Sequence, residues 1–149
     1  MLPLLASQVL RITLTCSRLL SLPPALPPLG SSSWPRPRDS PLGVGLVSHN
    51  LGGNSFCLHL GHLLRHFHKP HFKLLLFSLA PPDHLNGILE VVQRSAPLHD
   101  ISHLRPQAQG LRLRELGLGL LLDLSGMQDG RQLGLFGLRS TPVQTSALR

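Results

Sequence analysis

Leu111 to Ser140, LRLRELGLGLLLDLSGMQDGRQLGLFGLRS, decides how this chain is read, because its leucines satisfy two periods at once. Leu111 and Leu113, then Leu116, Leu118 and Leu120, alternate with polar or glycine positions as a half-buried strand would. Leu113, Leu116, Leu120 and Leu124 equally mark one face of a helix. Gly117 and Gly119 weaken either choice, and the β-branched residues that would favour a strand are absent. Asp129-Gly130 offers a hairpin turn back toward Leu133 to Leu138, so helix and hairpin both stay open for residues 111–138.

The same ambiguity runs outward through the whole chain. About a quarter of the residues are leucine, against three isoleucines, six valines and no tyrosine. A core of one side-chain shape tends to collapse without settling into one packing. The 14 prolines and 14 glycines, taken as scattered breakers, leave few segments long enough for regular structure. The expected fold is therefore mostly irregular or disordered, with a few short α-helices and no well-packed globular core.

Five segments follow from this reading. Residues 1–21 form an amphipathic helix, with Leu5, Val9, Ile12, Cys16 and Leu19 on one face and Arg11 and Arg18 roughly opposite. Residues 22–55 are a Pro/Gly/Ser-rich disordered linker, whose proline density enforces extended backbone. Residues 56–80 are a His/Leu-rich amphipathic segment. Residues 83–96 form a short helix capped by Asp83, with Leu85, Ile88, Leu89 and Val92 as its apolar stripe and Pro97 as its stop. Residues 97–149 are a Leu/Gly-rich, low-complexity tail.

Charge and motifs exclude more than they assign. The net charge of +7 favours anionic partners, but the basic residues are dispersed and lack interleaved aromatics, which argues against nucleic acid and leaves an anionic membrane surface as the partner considered. Cys16 and Cys57 cannot build a disulfide framework. The acid-free stretch before Asp39 leans toward mitochondrial targeting over secretion, since its arginines interrupt the apolar run instead of preceding it. No apolar run approaches the roughly twenty residues of a transmembrane helix.

FCLHLGHLLRHFHKPHF, from Phe56 to Phe72, holds the chain's metal-ligand candidates. On a helix His59, His62 and His66 share a stripe, and His62 and His66 have the i, i+4 spacing that can offer two imidazoles to one divalent ion. No acid or cysteine completes a recognisable ligand set, so no metal site and no cofactor is assigned. His99, Asp100, Ser102 and His103 are neighbours in sequence only, which is no evidence for a triad assembled in space. No nucleophile elbow, HExxH, phosphate loop or dinucleotide fingerprint is present, and no enzymatic activity and no catalytic residue is expected.

Leu, Pro, His, Gln and Arg, all writable with codons beginning in C, make up roughly half of the chain. Read on the opposite strand, common leucine codons become those for Glu, Lys and Gln. The leading expectation is accordingly a product of a dubious, non-coding or antisense reading frame with no selected biochemical function. The alternatives are a small basic amphipathic protein on a membrane surface or in mitochondria, and an interaction adaptor using the proline tract or the leucine helices.

Overall fold

The structure, a computed structural model, describes residues 40–49, 51, 55–66, 70–82, 87–125 and 131–146. The helix expected over 1–21 and most of the proline tract lie outside these residues. Five strands alternate with four helices: β1 (Leu42–Ser48), α1 (Ser55–His66), β2 (Phe72–Ser78), α2 (Gly87–Gln93), β3 (Leu98–Asp100), α3 (Pro106–Glu115), β4 (Leu120–Asp123), α4 (Arg131–Gly137) and β5 (Val143–Ser146). All five strands join one parallel sheet in the order β3-β2-β1-β4-β5. The expectation of an irregular, disordered chain without a packed core is overturned. So are the descriptions "disordered" and "low complexity".

The physical reason lies in what a parallel sheet demands. Its inner strands are covered on both faces and read as continuous apolar runs, with no alternation to betray them. LGVGLVS, FKLLLFS and LLLD are such runs. Val44, Leu46, Leu76, Leu60, Leu64, Leu89 and Val92 join sheet, α1 and α2 in one apolar layer. Val47, Leu75, Phe77, Leu121, Leu113 and Leu135 join the other face to α3 and α4. The helices divide two and two because the chain steps outward from β1 to β3, then crosses back over the opposite face to reach β4.

Among the described residues the prolines are placed, not scattered. Every proline among the described residues sits at an element boundary: Pro41 before β1, Pro70 before β2, Pro81 and Pro82 after it, Pro97 before β3, Pro106 opening α3, and Pro142 before β5. The first turn of a helix tolerates proline because its N–H would lack an intrahelical partner anyway. Gly117 follows α3 with φ +62°, the left-handed turn that commonly ends a helix, and its N–H donates to the Arg114 carbonyl at 3.0 Å.

Gly45 shows how the leucine-rich core escapes monotony. A Cβ there would lie 2.8 Å from Leu118 Cδ1, 2.9 Å from Leu121 Cδ1 and 3.1 Å from Phe77 Cε2. The bare strand centre is the hole into which three large side chains converge. Gly45→Ala is expected to cost about 1–3 kcal/mol by overpacking, read as a lower denaturation midpoint in urea.

The helix expected over 83–96 is found as α2 from Gly87 to Gln93, burying Leu89 and Val92 with Ile88 half-buried; Asp83 and Leu85 lie outside the described residues. Arg94 follows it, pairing with Glu90 one turn back. In the ambiguous stretch the structure takes neither single choice. Leu111 to Glu115 finish α3, Leu120 to Asp123 form a strand, and Arg131 to Gly137 form a helix. Leu133 to Leu138 therefore belong to a helix and its end, not to a hairpin arm. No helix among the described residues is long and apolar enough to cross a membrane. The segment behind the mitochondrial lean is outside them.

Candidate functional site at the carboxyl edge of the sheet

Each of the five strands ends on a hydroxyl or a carboxylate: Ser48, Ser78, Asp100, Asp123 and Ser146. Parallel pairing puts these residues along one edge. Ser48 is level with Ser78, Ser78 with Asp100, and Asp123 with Ser146. Asp123 is level with Val47, one residue inside the end of β1. Strand order reverses between β1 and β4, and in open α/β sheets this is where the loops part and leave a crevice for ligands.

The loops leaving β1 and β4 are tied together at that point. The Leu124 N–H donates to the Val47 carbonyl at 2.8 Å, carrying the sheet pairing one step past β4. The His49 N–H donates to Ser125 Oγ at 2.8 Å, and Ser125 Oγ donates to Ser48 Oγ at 3.3 Å. Asp123 fixes the other side. Its Oδ1 accepts the Ser125 N–H at 2.8 Å and its Oδ2 accepts the Ser146 hydroxyl at 3.1 Å. Both carboxylate oxygens thus hold loops in place, and at 6% exposure the residue is buried to do so.

The neighbouring strands close their own ends. Ser78 Oγ donates to the Ala80 carbonyl at 2.6 Å, and Asp100 Oδ1 accepts the Ser102 N–H at 2.9 Å. His99 stacks on Phe77 with ring centroids 5.3 Å apart, while His103 is exposed. Of these sequence neighbours, Asp100 accepts from a backbone amide and His99 packs against an aromatic ring.

The chemistry available follows from these positions. Asp100 and Asp123 stand on strands three places apart, about 14 Å at ordinary strand spacing. That is too far for the two-carboxylate machinery of glycoside hydrolysis, which needs about 5–9.5 Å. No lysine or arginine ends a strand at this edge. The polar groups described at this point are Ser48, His49 and Ser125, which supply hydroxyls and backbone amides. Sequence reasoning missed this edge. Its signal was a Ser or Asp closing the apolar runs of β1, β2 and β4, visible once the runs are read as strands.

The metal-ligand candidates lie elsewhere. His59, His62 and His66 are all exposed on α1, away from the sheet that Leu60 and Leu64 face. Among the described residues no group of three or more His, Cys, Asp or Glu is arranged to hold a metal ion.

No protein-family model matches the chain. Among solved structures, it is similar to a K341M mutant of the Thermobaculum terrenum O-GlcNAc transferase, with a TM-score of 0.68 and 20% sequence identity over 85% of this chain. The chain spans 23% of that transferase's length. The likeness is one of fold, and it corrects the expectation of a dubious reading frame. A defined five-strand topology shared with part of a transferase does not support the product of a non-functional reading frame.

Proposed function

We propose that this chain is a ligand-binding α/β unit of a group-transfer enzyme, taking a sugar-bearing ligand at the carboxyl edge over β1 and β4. The observation that carries the reading is the reversal of strand order at β1/β4, where hydrogen bonds through Ser48, Ser125, Asp123 and Ser146 tie the ends of β1, β4 and β5 together. Hydroxyl and amide groups suit a polyhydroxylated ligand, whose many weak donors and acceptors are each met by one neutral partner. The fold shared with part of an O-GlcNAc transferase supports the same class. Asp123 acts here as a positioning residue, holding the β4 loop against β1 and β5.

Saturation-transfer NMR on the full chain, with N-acetylglucosamine and with UDP-N-acetylglucosamine as probes, tests this. Transfer to the sugar ring protons is expected. Ser48→Ala, at the end of β1, and Ser125→Ala, just after β4, are each expected to weaken binding about three- to tenfold, the worth of one neutral hydrogen bond. No transfer to either probe at millimolar concentration, or affinity unchanged in both variants, would overturn the proposal.

A further inference from the structure

The outer side of α1 presents His62 and His66 four residues apart, both exposed. On a helix such residues have Cβ atoms about 6 Å apart, and their side chains lean the same way along the axis. Two imidazole nitrogens can then approach to about 3.3 Å, the separation set by two bonds of about 2.0–2.1 Å in a tetrahedral zinc site. We propose that His62 and His66 form a two-imidazole chelate for one borderline divalent cation, zinc or copper, on the face of α1 that points away from the sheet.

What separates this pair from two histidines on a flexible segment is the rigidity of the helix beneath it. Leu60 and Leu64, 2% and 1% exposed, anchor α1 to the apolar layer over the sheet. Gly61 lets α2 approach so closely that a Cβ would sit 3.1 Å from Val91 Cγ1. Because packing fixes the backbone between the two ligands, binding need not order a helix first, and the ion meets a site that is already shaped.

His59 shares the stripe but is not part of the chelate. It stands seven residues from His66, about 10 Å along the axis, so one ion cannot hold both. It also has an interaction of its own. The pair leaves the ion's remaining positions to water or an exchangeable ligand, the open coordination of a binding site rather than the closed shell of a structural one. Copper is expected to bind more tightly than zinc, following the general order for nitrogen ligands.

Calorimetric titration of the full chain with Zn²⁺ and with Cu²⁺ tests this. One tight ion per chain is expected, with the thermal midpoint raised by about 5 °C at saturating metal. Losing even an outer partner weakens metal sites about 10- to 100-fold, so losing one of two ligands in His62→Ala or His66→Ala should cost at least tenfold. His59→Ala should stay within about threefold of wild type, and circular dichroism should show all three variants folded, since each residue is exposed. Unfolding the chain in guanidinium should erase the difference between wild type and His66→Ala. Wild-type affinity in the His62→Ala/His66→Ala double variant would overturn the proposal, as would a difference that survives unfolding.

Discussion

Phe77→Ala is expected to destabilise the fold by about 3–5 kcal/mol, the usual cost of emptying a fully buried aromatic position. Phe77 lies on β2, inside the sheet, and is 0% exposed. Its ring reaches across to the bare backbone of Gly45, packs in one cluster with Leu118, Leu121 and Ile101, and stacks on His99. Alanine would leave a cavity bordered by residues already committed to other contacts, which limits collapse. A domain of this size is stable by only about 5–15 kcal/mol, so the variant would sit near its unfolding threshold. Phe77→Leu, which keeps most of the volume, should lose less than about 1.5 kcal/mol.

The comparison bears directly on whether the leucine-rich interior is packed or merely collapsed. A loosely packed interior responds weakly to the shape of any one side chain. Losses below about 1 kcal/mol for both variants in urea denaturation, with a shallow transition, would restore the collapsed reading. A large loss for alanine and a small one for leucine would establish a specific core.

Asp123→Ala is the second large effect, about 2–4 kcal/mol. The carboxylate is buried, and both its oxygens accept hydrogen bonds, from the Ser125 amide and the Ser146 hydroxyl. Alanine strands a buried N–H, which costs more than the bond itself contributes. Asp123→Asn can still accept from the Ser125 amide, and its NH₂ can donate to Ser146 Oγ, so it should lose only about 1 kcal/mol. Denaturation midpoints separate the two. Amide hydrogen exchange should show the damage concentrated at Leu124, Ser125 and β5, because Asp123 ties those segments together. Uniform loss of protection across the sheet in Asp123→Ala would contradict that local role.

Part of this architecture was legible before folding was considered. The apolar stripe of Leu89 and Val92 identified the core of α2, and the alignment of His59, His62 and His66 on one helical side followed from spacing alone. Among the described residues, the lack of a helix long and apolar enough to cross a membrane was equally plain. The sheet was not legible, and the candidate site depends on the sheet. Ser48, Ser78 and Asp123 look like ordinary polar residues after short leucine runs until the runs are aligned side by side. The loops after β1 and β4 are separated by about seventy-five residues, as the Ser48–Ser125 hydrogen bond measures with its |i−j| of 77. No local pattern links them.

The sequence by itself determined where elements must stop, through prolines that cannot continue a strand ladder or a helix interior, and which positions prefer to leave water. Tertiary structure alone decided which leucine run became strand and which became helix. Leu113 and Leu121 are both 0% exposed, lie eight residues apart and have identical side chains, yet one sits on α3 and the other on β4. Leucine is equally apolar in either conformation, so period and propensity cannot separate them. The deciding term is nonlocal: β4 gains backbone hydrogen bonds from β1 and β5 on its two sides, and α3 covers the face that those strands expose.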